Sequence, residues 1–253
     1  MKIHLRLLGL IFFTIVMTSG DMFQPQMVDV PLINKKSELR LDGGFSALSS
    51  AQATLSYALT DKFSIQAYGS SGKNDQYYLQ GAVGYFKDFG NKSVLEFYAG
   101  FGYGYGAASN DSIPGNPGYG TSYGYGNGVT WYAYSNVGYL EGKYQQYFAQ
   151  VNYGVTGIDF ANLEFGIGLK AGYLHSIFTD RFYYKFYNSI NSFDVYLDNS
   201  LLIEPIAFIR LGGKHLKLSF KLGNSWIYKF TNTNNSIPYN RVNASIGLNY
   251  RFL

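Results

Sequence analysis

The chain of 253 residues contains no cysteine, and only 14% of its residues are charged. Without cysteine it can form neither a disulfide framework nor a thiolate metal site. The formal net charge of +4, without a basic cluster, is too small to indicate a nucleic-acid-binding protein. A single long apolar run, at the N-terminus, excludes a bundle of membrane-spanning helices.

Aromatic residues and glycine are abundant instead, with 25 Tyr, 20 Phe and 30 Gly. So many Phe and Tyr residues are not compatible with a disordered chain. The length fits one large β domain or two small ones.

Residues 1–20 are predicted to be a secretory signal peptide, with a buried N-terminal helix as the alternative. Lys2 and Arg6 precede an apolar run at 7–17, which is shorter than the ~20 residues of a membrane-spanning helix. Small residues follow at 18–20. Bacterial lipoproteins place a cysteine next, where this chain has Asp21, so we expect no lipid on the chain.

Most of the remaining sequence alternates between apolar and polar or small residues, which is the pattern of β-strands. In the last segment Val242, Ala244, Ile246, Leu248, Tyr250 and Phe252 share one face. Ten strands are predicted, at about 37–47, 50–60, 62–70, 77–87, 92–106, 143–154, 161–178, 199–211, 215–230 and 241–253. Most approach the ~9–11 residues with which a tilted strand crosses a bilayer.

The connections between these segments are short at one end and mostly long at the other, as in outer-membrane barrels. The sequence therefore predicts an all-β fold, a transmembrane antiparallel up-and-down β-barrel of about ten strands, with eight or twelve as alternatives. Short periplasmic turns and long extracellular loops, at about 107–142 and 179–198, would connect the strands. Residues 21–36 would form an N-terminal periplasmic segment, and 37–253 a single barrel domain. A soluble sandwich or barrel with its apolar face inside is the alternative.

If the apolar faces meet lipid, the opposite faces line the lumen and bring charges of both signs together. This predicted lumen network contains Glu38, Arg40, Asp42, Glu96, Glu164, Lys170, Glu204, Arg210, Lys217, Lys221 and Arg251. Buried charges need partners, and an interior of this size is nearly filled by side chains. We therefore favour a plugged lumen over a narrow selective passage, with Tyr98, Phe148 and Phe208 adding bulk.

Aromatic residues at strand ends predict girdles at the two membrane interfaces. They are Tyr57, Phe63, Phe89 and Phe252 near the short turns, and Tyr77, Tyr105, Tyr173 and Phe178 near the long loops. The outer loops are candidate interaction surfaces because Tyr and Gly suit adaptable binding; a solvated loop or a strand pair beyond the membrane is the alternative. The candidates are Tyr119, Tyr123, Tyr125, Trp131, Phe182, Tyr183, Tyr184, Phe186 and Tyr187.

The sequence offers little catalytic chemistry, and we expect no enzyme, no cofactor and no metal site. His175, followed by Ser176 and near Asp180, is the one acid–base cluster at an outer strand end. His215 falls at a short turn, the end opposite to the outer rim.

Two segments, Val30 to Leu39 and Tyr57 to Lys62, resemble small outer-membrane β-barrel proteins of Bacteroidota-type Gram-negative bacteria. The aromatic-ended last strand, 250–253, resembles the signal read by the barrel-assembly machinery, although Leu253 follows the Phe. This resemblance implies the bacterial outer membrane and carries no catalytic residues with it.

The expected function is therefore an outer-membrane barrel with a structural or binding role, including that of an accessory subunit of a larger envelope complex. The alternatives are a small passive transporter or channel and a lipid-acting enzyme that uses His175. Outer-membrane lipid, the barrel-assembly machinery and a protein bound by the aromatic outer loops are the expected partners, and nucleic acid is not.

Overall fold

The computed structural model describes residues 28–47, 50–72, 75–109, 137–158, 160–184, 189–230, 239 and 241–252. The predicted signal peptide at 1–20 lies outside these residues. So do six of the interaction-loop candidates, namely Tyr119, Tyr123, Tyr125, Trp131, Phe186 and Tyr187.

Eleven β-strands form within the described residues. They are β1 Leu39–Ser46, β2 Ala51–Ala58, β3 Phe63–Ser71, β4 Tyr77–Asp88, β5 Ser93–Ser109, β6 Val137–Ile158, β7 Leu163–Tyr184, β8 Ser189–Gly212, β9 Leu216–Asn224, β10 Trp226–Lys229 and β11 Val242–Phe252. A 3-10 turn, Phe160–Asn162, joins β6 to β7. Strands β9 and β10 both pair with β8 and are separated by Ser225, so they are two parts of one barrel strand.

The strands form a closed antiparallel ring in which each pairs with its neighbours in sequence. Strand β11 pairs with β1, with Phe252 opposite Leu39 and Ser245 opposite Ser46, and with β9 on its other side. With β9 and β10 counted together, the described residues build the predicted ten-stranded up-and-down barrel, which is confirmed.

The alternation places apolar side chains outside the barrel and polar side chains inside it. In β7, Ile167 is 61% and Leu169 43% exposed, whereas Glu164 and Lys170 are buried. This is the arrangement of a membrane barrel, in which the outer face meets lipid and every strand edge is paired. The chain is a transmembrane β-barrel of the bacterial outer membrane, and the soluble alternative is wrong. Among the described residues, no helix is long and apolar enough to cross a membrane.

The outer ends of four strands differ from the prediction. Strands β5 to β8 have 17, 22, 22 and 24 residues, whereas β1 to β3 have 8 or 9. Strand structure thus continues into both ranges expected to be loops, 107–142 and 179–198. Phe182, Tyr183 and Tyr184 belong to β7 rather than to a loop, because aromatic residues favour strands over loops.

The membrane girdles are largely as expected, with one correction. Phe63, Phe89 and Phe252 are exposed near the short turns, and Tyr77 and Tyr173 are exposed towards the other end. Phe178 is buried in the lumen instead, because it lies an even number of residues from Glu164 and so shares its inward face.

Candidate functional site in the barrel lumen

Residues 28–34, which we call the strap, lie inside the barrel. Val28 to Ile33 are buried, and the strap belongs to no strand among the described residues. This corrects the prediction that 21–36 is a periplasmic segment: the part of it from 28 to 34 enters the lumen from the short-turn end. Burial of its apolar side chains explains the placement.

Apolar contacts hold one side of the strap. Val28, Val30 and Leu32 pack in a buried cluster against three side chains of the wall, Val94, Ile206 and Phe208. Ile33 packs with Ala58 and Phe86 near the short turns. The wall makes room for the strap with two glycines, since a Cβ atom at Gly154 would meet Leu32 and one at Gly168 would meet Val30.

Polar contacts hold the other side of the strap. The Asp29 carboxylate accepts a hydrogen bond of 2.7 Å from Lys221 Nζ and lies 3.5 Å from an Arg210 terminal nitrogen. Gln150 Nε2 donates to the Asp29 carbonyl oxygen, also at 2.7 Å. The main-chain N–H of Ile33 donates to Glu96 Oε1 at 2.8 Å. Asp29 was missed by the sequence reasoning because it stands outside every alternating segment.

A connected network of charges fills the short-turn half of the lumen, and we call it the ionic half. Glu164 is its centre, with cationic nitrogens of Arg40 at 3.1 Å, Lys217 at 3.3 Å and Arg210 at 3.6 Å. Lys217 Nζ also donates to the Asn162 carbonyl oxygen. Because these partners come from β1, β8 and β9, the network ties separate parts of the ring together.

The network extends from Glu164 in two directions. Towards the short-turn rim, Arg40 pairs with Glu38 at 2.6 Å, and Glu38 pairs with Arg251 at 2.7 Å. Towards the strap, Arg210 lies 3.6 Å from Asp42, which pairs with Lys221 at 2.6 Å.

The structure brings eight of the eleven predicted lumen charges into this network and leaves Lys170, Glu204 and Glu96 outside it. Lys170 and Glu204 form a separate buried pair at 2.7 Å. The described contacts of Glu96 are instead with uncharged hydrogen-bond donors. Besides Ile33 N–H, Glu96 accepts a hydrogen bond from Asn152 Nδ2 at 3.0 Å, so it binds strap and wall together.

Rings fill the other half of the lumen, which we call the aromatic half. Tyr78 and Tyr144 stack with centroids 5.8 Å apart, and Tyr78 donates a hydrogen bond of 2.7 Å to Gln146. The cluster is completed by Tyr68, Leu174, Phe178 and Leu202.

Glycines of β5 allow these rings to lie flat against the wall. A Cβ atom at Gly102 would overlap the Tyr78 ring, and one at Gly104 would overlap the Tyr144 ring. A Cβ atom at Gly100 would meet Phe148 in the same way. The alternating glycines of this strand therefore replace wall side chains with rings from neighbouring strands, so this part of the lumen is packed without charge.

A small cavity between Val28, Glu204, Ser225 and Asn243 has room for about one water molecule. Its lining is mixed, with Val28, Pro205 and Ile206 beside polar side chains, and Ser225 donates to Glu204 at 3.1 Å.

His175 and Ser176 lie on opposite faces of β7, because neighbouring residues of a strand alternate. Ser176 is buried in the lumen, while His175 is half-buried on the outer face, where its Nδ1 lies 2.7 Å from Asn199 Oδ1. The structure therefore does not bring these two together. Within the described ranges, no cluster of three or more His, Asp or Glu side chains could hold a metal ion.

No protein-family model matches the chain. No curated protein matches it either. Among solved structures, the translocator domain of the autotransporter NalP from Neisseria meningitidis is 14% identical, with 85% of this chain and 86% of that chain covered and a TM-score of 0.37. OmpT, an outer membrane protein of Vibrio cholerae, is 9% identical, with 85% and 95% covered and a TM-score of 0.17.

Proposed function

We propose that the protein is a sealed outer-membrane barrel with a structural or binding role, and not a transporter. The observation that carries this proposal is the filled lumen, in which the ionic half and the strap share the short-turn end and the aromatic half occupies the other end. A water-filled pore needs a continuous polar path, and stacked rings interrupt that path.

The long strands support a binding role. A tilted strand crosses a bilayer with about 9–11 residues, so β6, β7 and β8, of 22 to 24 residues, are long enough to project beyond it. Their outer ends would offer a rigid wall to a protein partner, as in an accessory subunit of a larger envelope complex. The aromatic residues 182–184 lie on this projecting part of β7.

Conductance of the refolded protein in planar lipid bilayers tests the seal. We expect no conductance above that of the bare bilayer, from preparations whose heat-modifiable migration on a gel shows that the barrel is folded. Stable single-channel steps from the folded protein would contradict the seal and favour the passive channel.

Mild detergent extraction followed by co-purification tests the subunit role. We expect a stoichiometric partner that is lost when β6 and β7 are shortened from 137 and 184 towards the membrane. Purification of the full-length protein consistently alone would contradict the subunit role and leave a structural one.

A further inference from the structure

The strap is attached to the barrel differently from every wall strand. Neighbouring strands share continuous ladders; the pairing of β7 with β8, for example, runs from Glu164 to Tyr184. The described hydrogen bonds of the strap main chain are instead isolated ones, from Gln150 to Asp29, from Leu32 and Ile33 to Glu96, and from Asn34 to Glu38. Leaving the lumen would therefore break no strand pairing, and the ring would stay closed.

Asp29 is the charged side chain of the strap, and its carboxylate completes the charge balance of the lumen. The wall contributes five acids and six bases to the predicted lumen set. With Asp29 the described lumen holds as many acids as bases, which is how buried charges are accommodated. The strap is therefore held by a specific ionic contact in addition to its apolar packing.

The cations that receive Asp29 keep acidic neighbours on the wall. Lys221 Nζ lies 2.6 Å from Asp42, and Arg210 lies 3.6 Å from both Asp42 and Glu164. Two buried nitrogens of Arg210, Nε and one terminal nitrogen, have no hydrogen-bond partner in the described structure. The receiving site is thus loosely made and would not be left without counter-charge if Asp29 moved away.

The backbone conformation of two residues also favours a strap that can move. Leu32 within the strap has φ of 56°, and Ser37, where the strap meets β1, has φ of 62°. Residues other than glycine adopt this left-handed region at an energetic cost, and such residues concentrate in segments that switch. Release of the strap would relieve the strain at Leu32.

We propose that the strap is a releasable plug and that the Asp29 carboxylate is the latch that holds it against Lys221 and Arg210. The inference rests on the sealed lumen proposed above. It adds a second state, in which the strap swings out through the short-turn end while the barrel remains folded.

Thiol labelling tests release, because the natural chain has no cysteine. Val30→Cys places one thiol on the buried face of the strap. The mature full-length protein is folded in detergent micelles, so that a maleimide reaches both ends. We expect labelling at least tenfold faster than global unfolding, measured by loss of the heat-modifiable band. Labelling no faster than unfolding would show a fixed strap and overturn the proposal.

A second substitution tests the latch. Asp29→Asn, combined with Val30→Cys, is expected to accelerate labelling at least tenfold more, because it removes the charge that Lys221 holds. Asp88→Asn, at the exposed end of β4, is the matched control and is expected to leave the rate unchanged. An unchanged rate in the Asp29→Asn protein would overturn the latch.

If the Asp29→Asn protein does not fold, Lys221→Gln is combined with Val30→Cys in its place. It removes the other end of the contact, while Asn249 still donates to Asp42 at 3.2 Å. The same tenfold acceleration is expected, and its absence again overturns the latch. If the protein does not conduct and the thiol of the Val30→Cys protein is not labelled, the releasable plug is contradicted and the sealed barrel remains. If the natural chain conducts steadily, the sealed barrel itself is contradicted.

Discussion

The two halves of the lumen are packed by opposite means. In the ionic half, long side chains from several strands and from the strap meet one another, and Glu164 alone faces Arg40, Arg210 and Lys217. In the aromatic half, rings lie where the wall has no side chains at all, as Tyr78 does over Gly102. The ionic half therefore depends on charged side chains, and the aromatic half on glycines that leave room for the rings.

This difference determines how each half fails. Removing one member of a buried charge network leaves its partners uncompensated, whereas adding an atom to a glycine forces a ring out of place. The ionic half should be sensitive to loss of charge at constant volume, and the aromatic half to gain of volume at constant charge.

The largest effect is expected from Glu164→Gln, which keeps the shape of the side chain and removes its charge. Three cationic side chains would then lack their shared carboxylate. We expect the free energy of unfolding to fall by about 3–5 kcal/mol, the usual cost of breaking a buried ion pair. Urea unfolding in lipid vesicles, followed by tryptophan fluorescence and gel migration, measures this loss.

Asp88→Asn provides the comparison for this substitution, since Asp88 is an exposed carboxylate whose contact is the Gly90 N–H at 2.7 Å. Its effect should lie within about 0.5 kcal/mol, as for most surface changes. If Glu164→Gln were equally mild, the charges of the ionic half would be hydrated, and the contrast between the two halves would disappear.

A smaller loss is expected from Gly102→Ala, which inserts a methyl group beneath the Tyr78 ring. Overpacking of this kind costs about 1–3 kcal/mol. Gly81→Ala, on the neighbouring strand, is the matched control because a Cβ atom there meets nothing within 4 Å. The same unfolding experiment measures both variants. Equal stabilities would mean that the Tyr78 ring moves freely and that the aromatic half is not tightly closed.

Alternation along each strand was enough to predict which residues face the lumen. Because a strand repeats every two residues, Glu164 and Lys170 had to share a face, and both are buried together. The same parity applied to Phe178 would have placed it inside, where the structure has it.

Contacts between distant segments could not be read from alternation. The strap has no strand pattern, so nothing in the sequence placed Asp29 beside Lys221, 192 residues away. Likewise, the glycines of β5 were recognisable as inward positions, but the ring that covers Gly102 depends on the register between β4 and β5. The extended outer end of β7 was missed because residues 181–184 include three aromatic residues in a row without alternation.

The smallest effect is expected where the halves meet, from replacing both members of the Lys170–Glu204 pair. These residues lie directly opposite each other on β7 and β8, and Lys170 Nζ also lies 5.4 Å from the centre of the Phe148 ring. Because the pair stands apart from the Glu164 network, Lys170→Met with Glu204→Gln should change the free energy of unfolding by less than about 1 kcal/mol.

Each single substitution of this pair should cost more than the double, since Lys170→Met alone leaves the Glu204 carboxylate buried without its cation. A double-mutant cycle in lipid vesicles measures the coupling between the two residues. Strong coupling with a mild double variant would show that the ionic half ends below this pair. If the double variant were as unstable as the sum of the singles, Lys170 and Glu204 would each depend on other partners and would belong to the wider network. The boundary between the ionic and the aromatic half would then lie further outward, past Phe148.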